Sequence, residues 1–319
     1  MLVEALAVGV CGTDREIVSG QYGEAPGPDD RLILGHESLG RVIESGSPKF
    51  QPGDLIVGLV RRPDPVPCPA CAAGEPDMCL NGQYTERGIK QRHGFARERW
   101  RTEADYAVKI DPGLGHCGVL LEPASVLAKA WQHITDIGQR AFWDPHTVLI
   151  TGAGPIGLFA ALFAVERGLD VHVFDRVADG PKPELVRRLG ATYHSGDLDD
   201  IRVTPQIVLE CTGAAPVIVD VLTRIGTGGV VCLTGVSSRG RHIDIDIGQT
   251  NRDIVLENNA VFGSVNANAH HWQQAAEALK AADRSFLEAL ITRREPLENF
   301  ADALAPRPDD VKVVLELAA

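Results

Sequence analysis

The chain has 319 residues, of which 44% are hydrophobic and 23% are charged, and its formal net charge is −12. This composition is typical of a globular protein, and the length allows two domains of about 100–200 residues each. The negative charge argues against nucleic acid or an anionic membrane as a partner, because both bind basic faces. No stretch reaches the roughly 18–20 apolar residues of a membrane span.

The first 110 residues predict an antiparallel β domain with long loops. The apolar segment 1–11 has no basic region and includes Glu4, so we interpret it as a buried strand rather than a signal peptide. Further short runs rich in β-branched residues, separated by Gly and Pro turns, predict strands at 32–34, 41–43 and 55–60.

From residue 122 the pattern changes to helices alternating with strands. Apolar residues recur at helical spacing over 122–134. Three further strands, at 171–175, 207–213 and 229–236, follow a first strand at 147–152, with helical segments between them. That alternation predicts a parallel, doubly wound sheet and therefore an α/β domain. An amphipathic helix at 271–282 and a strand at 311–318 follow, and we expect this tail to return to the first domain.

A glycine-rich turn follows the first strand of the predicted parallel sheet and opens a helix. It consists of Gly152, Gly154, Pro155, Ile156 and Gly157, with one alanine between the first two glycines. In a G-x-G-x-x-G turn the glycines permit a tight bend, close approach of pyrophosphate, and packing of the helix on the strand. The free N–H groups of the helix N-terminus attract the phosphates. We therefore predict a dinucleotide site.

The second strand of this sheet ends at Asp175, 18 residues after Gly157 (175 − 157 = 18). An acidic residue about 20 residues after the motif binds the ribose hydroxyls of NAD and repels the 2′-phosphate of NADP. The adjacent Arg176 could instead stack on adenine or pair with a 2′-phosphate. We predict that NAD is favoured over NADP.

Cysteine, histidine and carboxylate side chains predict a catalytic zinc site. There are seven cysteines, an odd number that favours metal binding in a reducing compartment over a set of disulfides. Cys11 ends the first strand, His36 and Glu37 precede the next predicted strand, and Glu122 stands at the start of the first long helix. Such a set can hold zinc and leave one position open for water or substrate.

A second cysteine group, Cys68, Cys71 and Cys79, lies in a proline-rich loop. Its spacing is typical of a structural zinc site, which is normally closed by four ligands. The fourth ligand would be Asp64, another residue, or none. The alternative interpretation is three reduced cysteines without a metal.

In this order, the motifs CGTD, GHE-x-x-G, PGD, LLEP, GAGPIG, ECTG and LTGV resemble those of the zinc-containing medium-chain dehydrogenase/reductase superfamily. Within it, the chain looks like the archaeal-type glucose 1-dehydrogenases, on the segments 60–63, 84–89, 120–125 and 262–272. The resemblance implies a GroES-like antiparallel β catalytic domain, residues 1–132 with 267–319, and a Rossmann domain, residues 133–266. It also implies a cytoplasmic protein that forms a homo-oligomer, either a dimer or a tetramer.

The same resemblance implies roles for individual residues. Cys11, His36 and Glu122 would hold the catalytic zinc, with Glu37 as a ligand or as a partner of the bound water. Thr13 would hydrogen-bond the substrate hydroxyl and relay its proton. The remaining assignments place Glu86, Asn266 and Glu122 against the sugar, and Gly235, Val236, Ser264 and Val265 against the dinucleotide.

The chain departs from the family pattern in four places. Pro65 stands where the first cysteine of the structural site is usual, Asn251 where some relatives have histidine, and Asp175 where NADP-preferring members have a basic or neutral residue. Relatives also have about two dozen residues before the CGTD motif, which we expect to form strands and whose absence would expose a sheet edge.

Three functions follow from these patterns. The first is an aldose dehydrogenase that oxidises the anomeric hydroxyl of glucose or a related sugar to the lactone. The second is a polyol, alcohol or amino-alcohol dehydrogenase with the same zinc ligands. The third is a truncated NAD-binding homologue without dehydrogenase activity.

Overall fold

A computed structural model describes residues 1–27, 29–237 and 242–317. The chain forms two compact units, one of Met1–Ser125 with Asn266–Ala319 and the other of Val126–Val265. The limit after Ser125 falls inside a helix that continues to Gly138. The domain limits that we inferred from the sequence stay a prediction. Within the described ranges, no helix is both long enough and apolar enough to cross a membrane.

The first unit begins with short strands and short helices. In chain order they are β1 (Leu2–Val10), α1 (Gly12–Val18), β2 (Glu37–Glu44), β3 (Leu55–Gly58), β4 (Arg61–Arg62), α2 (Pro69–Ala72), β5 (Thr85–Arg87), β6 (Gln91–Arg92), β7 (Arg99–Arg101) and β8 (Ala107–Lys109). The helix α3 (Leu121–Gly138) then leads into the second unit.

The second unit alternates strands with helices as predicted. Its elements are β9 (Thr147–Thr151), α4 (Pro155–Glu166), β10 (Asp170–Phe174), α5 (Pro181–Arg188), β11 (Thr192–His194), β12 (Ile207–Glu210), α6 (Ala215–Leu222), β13 (Val230–Leu233), α7 (Ile247–Leu256) and β14 (Ala260–Gly263). The chain then returns to the first unit through α8 (Ala269–Ala281), α9 (Arg284–Leu290), β15 (Ile291–Pro296), α10 (Phe300–Leu304) and β16 (Lys312–Glu316).

A mostly antiparallel sheet forms the centre of the first unit. Its strand order is β15-β16-β1-β2-β3-β8, and β7 also pairs with β1. The expected buried first strand is confirmed, because β1 has an almost wholly buried side-chain pattern. The expected return of the tail is also confirmed, since β16 pairs antiparallel with β1. A second small sheet joins β4, β5 and β6.

The second unit contains a parallel sheet with the order β11-β10-β9-β12-β13-β14. The order reverses between β9 and β12, so the crevice beyond the carboxyl ends of these strands is the place where such sheets bind dinucleotides. The predicted Rossmann domain and the α/β fold class are therefore confirmed. The long apolar face of α4 is buried, from Gly157 to Ala164, which positions the glycine-rich turn at its start.

The strand predicted at 32–34 is wrong. These residues run without regular strand structure, and their carbonyl groups accept hydrogen bonds from residues 94 and 96. This row of hydrogen bonds ends at Gly35, where a φ of +88° bends the chain. The backbones also approach closely there, because a Cβ on Gly94 would lie 2.2 Å from the Leu34 carbonyl oxygen. The bend places the following residue, His36, directly before the start of β2.

Candidate active site

His36 lies between two side chains that come from the turn after β1. Its Nε2 is 3.0 Å from Sγ of Cys11, and its Nδ1 is 3.4 Å from Oδ1 of Asp14. The imidazole is 3% exposed. Metal-binding histidines usually direct their second ring nitrogen at a carboxylate, which fixes the ring orientation. Asp14 has that position, and the sequence did not identify it, although it stands in the CGTD motif.

The start of α1 explains why Cys11 and Asp14 hold these positions. Cys11 is the N-cap residue, and its Sγ accepts the N–H of Thr13 at 3.3 Å. In return, Asp14 accepts the N–H of Cys11 at 2.9 Å. This reciprocal capping satisfies orphan N–H groups of the helix. Helix capping and the orientation of His36 therefore use the same two side chains.

Glu37 is neutralised by a residue near the end of the chain. Lys312 on β16 places Nζ 2.6 Å from both carboxylate oxygens of Glu37, and 3.4 Å from the Val10 carbonyl oxygen. Both side chains are 2% exposed. Burial alone would lower the pKa of Lys312, but the charges of Glu37 and Cys11 raise it above its ordinary value. Lys312 thus holds the Glu37 carboxylate in one place.

Glu122 completes the group from the first turn of α3. Its carboxylate and ligand atoms of His36 and Glu37 lie within 4.8 Å of one another, and a second set of Cys11, Asp14 and His36 meets the same limit. Burial raises the pKa of Glu122 to about 7, and the neighbouring charges of Glu37 and Asp14 act in the same direction, whereas His36 opposes them.

The donor set fits a zinc ion. Sulfur, imidazole nitrogen and carboxylate oxygen are the ligands that zinc prefers. Three carboxyl groups, those of Asp14, Glu37 and Glu122, and the Cys11 thiol converge here with one lysine, Lys312, and this acid-rich group of ligand atoms suits a divalent cation. Thr13, half-buried on α1, donates its backbone N–H to the Cys11 sulfur. The structure brings all the predicted catalytic zinc residues together around His36.

Glu86 and Asn266 also meet, although 180 positions separate them. The Asn266 Nδ2 donates to Oε1 of Glu86 at 2.7 Å. The same oxygen accepts from Nε and Nη2 of Arg61 at 3.0 and 2.9 Å. Sequence reasoning assigned no role to Arg61, whose guanidinium also stacks on the Tyr84 ring at 3.7 Å. Asn266 has a φ of +61°, a conformation that asparagine adopts more readily than most residues.

The second cysteine group converges in the loop around α2. Ligand sulfurs of Cys68, Cys71 and Cys79 lie within 4.8 Å of one another. The N–H groups of Cys71 and Leu80 lower the pKa of Cys68 to about 7, which favours the thiolate that binds metal. Asp64 is not part of this group among the described residues; its carboxylate accepts from the N–H of Val66 at 2.9 Å and from the amide of Asn81.

The glycine-rich turn of the second unit has the geometry of a phosphate-binding loop. Gly152 has a φ of +92°. A Cβ on Gly157 would lie 1.8 Å from the Gly152 carbonyl oxygen, whereas a Cβ on Gly154 would meet nothing within 4 Å. The absence of a Cβ on Gly157 therefore permits the helix to pack on the strand, and the space beside Gly154 is open for pyrophosphate. Pro155 and Ile156 form the first turn of α4, whose N-terminus has no side-chain cap.

Asp175 directly follows β10 and turns toward this loop. Its Oδ2 accepts the N–H of Ala153 at 2.8 Å and Nζ of Lys182 at 3.1 Å. Its Oδ1 accepts the N–H of Val177 at 3.2 Å. Lys182, on the first turn of α5, was not identified from the sequence. The next residue, Arg176, is exposed.

The remaining predicted cofactor residues lie just after the strands β13 and β14. A Cβ on Gly235 would lie 2.1 Å from the Gly213 nitrogen, so the turns after β12 and β13 touch. Val236 is exposed. Ser264 is buried and its hydroxyl has no hydrogen-bond partner among the described residues. Val265 is exposed, and its carbonyl oxygen accepts from Lys129 at 3.1 Å. All four therefore occupy the carboxyl edge of the parallel sheet.

Comparison with known proteins identifies the family. The model of the glucose dehydrogenase C-terminus matches residues 115–317, and that of the alcohol dehydrogenase GroES-like domain matches residues 1–112. This chain belongs to the glucose dehydrogenase family. It is thereby a zinc-containing medium-chain dehydrogenase/reductase with a GroES-like and a Rossmann domain, as the motifs suggested.

Individual relatives agree with this family. A glucose 1-dehydrogenase from Methanocella arvoryzae is 37% identical over 100% of this chain and 92% of its own length. Glucose 1-dehydrogenase 2 of Vulcanisaeta moutnovskia is 39% identical over 99% and 91%. The Haloferax mediterranei glucose dehydrogenase, solved in complex with NADP, Zn and gluconolactone, has a TM-score of 0.92 and 31% identity, covering 100% of this chain and 92% of the solved chain.

Proposed function

We propose that this family member oxidises the C1 hydroxyl of an aldose, with glucose as the principal substrate, to the lactone, and that NAD accepts the hydride. The observation that carries this proposal is the convergence of Cys11, His36, Glu37 and Glu122 in one unit that also joins Glu86 to Asn266. The similarity to the Haloferax glucose dehydrogenase solved with gluconolactone supports a sugar as the substrate.

At the metal site, we assign Cys11, His36 and Glu122 as zinc ligands, with Glu37 as a further ligand or as the partner of a bound water. When bound, zinc supplies a Lewis acid that lowers the pKa of the substrate hydroxyl, and nicotinamide supplies the hydride acceptor. Asp14 orients the His36 ring and Lys312 holds Glu37. The Thr13 hydroxyl accepts a hydrogen bond from the substrate hydroxyl and relays its proton, releasing its own proton toward solvent as it takes up that of the substrate.

The sugar is recognised by Glu86 and Asn266. Among the described residues, hydrogen bonds to the Glu86 side chain are made at Oε1, by Arg61 and Asn266. A carboxylate has about four lone-pair sites, so Oε2 can accept from a sugar hydroxyl. The two hydrogen bonds from Arg61 hold the Glu86 carboxylate in place. A polyhydroxylated substrate needs such fixed acceptors, whereas a simple alcohol does not. This pair favours a polyhydroxylated substrate, such as an aldose, over a simple alcohol.

NAD is the preferred coenzyme in this proposal because Asp175 ends the second strand of the parallel sheet, where it accepts the ribose hydroxyls and repels a 2′-phosphate. The salt bridge from Lys182 offsets part of that repulsion. We therefore propose a preference for NAD with residual use of NADP. The glycines of the turn, with Gly235, Val236, Ser264 and Val265, line the same site.

We further propose that Cys68, Cys71 and Cys79 hold a structural zinc. Their thiols are close together, and the lowered pKa of Cys68 favours a thiolate. Asp64 could act as a fourth ligand after releasing Val66 or Asn81. Zinc analysis distinguishes the outcomes: two zinc ions per chain support this site, and one ion per chain contradicts it.

A homo-oligomer, as a dimer or tetramer in the cytoplasm, completes the proposal. The strand β14 lies at the edge of the parallel sheet, and an edge strand can pair with a second copy. Apolar side chains near this edge are exposed, including Val255, Leu256 and Val261. Sedimentation velocity at several concentrations tests this assembly, and a concentration-independent monomer contradicts it.

A steady-state assay tests the proposed reaction. Zinc-loaded protein is mixed with glucose, other aldoses and simple alcohols, each with NAD and with NADP. We expect reduction of the coenzyme with glucose, loss of activity after chelation, and a higher kcat/KM with NAD. Reduction with simple alcohols but not with any aldose would contradict the substrate assignment. Coenzyme binding without turnover on any of these compounds would favour an inactive homologue.

A further inference from the structure

A cavity of about 530 Å³ in the first unit is lined by an unusual number of arginines. It opens at the start of β1 and along β7, next to β5 and β6. Five of its ten lining residues are Arg87, Arg92, Arg97, Arg99 and Arg101. The net charge of the chain is −12, so this concentration of positive charge is not a general property of the surface.

The positive charge in this arginine cavity is mostly uncompensated. Glu103 is the one carboxylate among its lining residues, and it pairs with Arg92 at 3.2 Å and with the buried Arg62 behind it at 3.4 Å. Within residues 1–27, 29–237 and 242–317, no ion pair involves the side chains of Arg97, Arg99 or Arg101. Three guanidinium groups are thus available to an anion in solution.

The inner arginines are fixed in place. Arg87 is 8% exposed, and its two terminal nitrogens donate to the carbonyl oxygens of His93 and Arg101 at 3.2 and 2.6 Å. The Nε atoms of Arg62 and Arg87 are buried without a hydrogen-bond partner among the described residues. Burial, with the charge of Arg92, lowers the pKa of both residues to about 10. A bound anion would offset the repulsion between these guanidinium groups.

We propose that the arginine cavity binds a small phosphate-bearing anion. Guanidinium groups form paired hydrogen bonds with phosphate oxygens, and several of them around one cavity match a ligand with more than one phosphate charge. The volume falls within the range of about 300–1,000 Å³ that is usual for small-molecule sites. The site belongs to the first unit, whereas the glycine-rich turn belongs to the second.

Strand β5 separates this cavity from the proposed sugar site. Glu86 and Arg87 are adjacent in β5, and successive side chains of a strand point to opposite faces. Glu86 contacts Arg61 and Asn266, whereas Arg87 lines the cavity. The proposed anion site is therefore not part of the sugar-binding pair, and its occupancy can be measured without substrate.

Isothermal titration of the full chain with pyrophosphate tests the proposal. The protein is tagged at its C-terminus, because Met1 lines the cavity, and it is saturated with NAD, the coenzyme proposed to be preferred, to block the dinucleotide site. We expect one saturable pyrophosphate site per chain at constant ionic strength. In the double variant Arg97→Ala/Arg101→Ala, the affinity should fall roughly tenfold or more, since hydrogen bonds to charged groups are lost.

Two further variants keep the test decisive. Arg31→Ala/Arg41→Ala removes the same charge from exposed positions of the same unit, and it should leave the affinity unchanged. Glu103→Gln removes the opposing carboxylate and should tighten binding. Equal weakening in both double variants, no saturable pyrophosphate binding in the presence of NAD, or citrate binding as tightly as pyrophosphate would each overturn the proposal. Inorganic phosphate and ATP, titrated in parallel, distinguish a single phosphate from a nucleotide as the preferred ligand.

Discussion

Lys312 and Glu37 form a buried ion pair, with Nζ 2.6 Å from each carboxylate oxygen, across 275 positions of the chain. Their strands do not pair directly: β1 lies between them in the sheet. The lysine reaches over β1 at Gly9, where a Cβ would lie 1.9 Å from Oε2 of Glu37. The pair therefore connects the end of the chain to the catalytic cluster and depends on a glycine between the two strands.

Replacing Lys312 with methionine should destabilise the protein. The substitution leaves the Glu37 carboxylate buried without its cation, and breaking a buried ion pair costs about 3–5 kcal/mol. Urea unfolding of the zinc-free protein measures this loss. The double variant Lys312→Met/Glu37→Gln should recover much of the stability, because neither member of the pair then carries a buried charge. If the double variant is no more stable than Lys312→Met alone, the ion pair is not the cause.

Replacing His36 or Cys11 with alanine should abolish turnover and remove the catalytic zinc, while NADH binding persists. The reason is that the zinc cluster and the glycine-rich turn belong to different units. Turnover, zinc content and NADH fluorescence titration measure the three effects. Cys117→Ala is the matched control, since Cys117 is a buried free cysteine outside both metal clusters. Equal loss of NADH binding in a folded His36→Ala variant would contradict this separation.

Asp175 and Lys182 should change coenzyme preference in opposite directions. Asp175→Gly removes the ribose acceptor and the repulsive charge, so the ratio of kcat/KM for NAD to that for NADP should fall roughly tenfold or more. Lys182→Ala exposes the full charge of Asp175, so the same ratio should rise. Arg188→Ala, at the far end of the same helix, is a control that should leave the ratio close to that of the parent protein. An unchanged ratio in both test variants would show that Asp175 does not contact the ribose.

Glu86→Gln and Asn266→Ala should weaken sugar recognition. Each variant removes a charge or a hydrogen-bonding group from the pair, and kcat/KM for glucose should fall by roughly tenfold or more. Zinc content should stay the same, since neither residue belongs to a metal cluster. Gln83→Ala changes an exposed neighbour of β5 and should behave like the parent protein. A loss of zinc together with activity would assign these residues a structural role instead.

Much of this protein is determined by local sequence. The alternation of strands and helices after residue 147, the glycine-rich turn and Asp175 at the end of a strand depend on neighbours within one βαβ unit, so their spacing predicts them. The capping exchange between Cys11 and Asp14 is equally local. The zinc ligands are scattered along the chain, so we predicted them from the resemblance to the family and not from local spacing.

The tertiary structure alone decided which distant charges are paired. Lys312 looks like any lysine in a strand, and Arg61 like any arginine, until β16 lies beside β1 and Asn266 reaches Glu86. The arginine cavity likewise arises because β7 pairs with β1 next to β5 and β6. A buried charge needs an oppositely charged partner. Here the partners are brought together by the packing of strands that are far apart in the chain, so the local spacing of residues does not predict them.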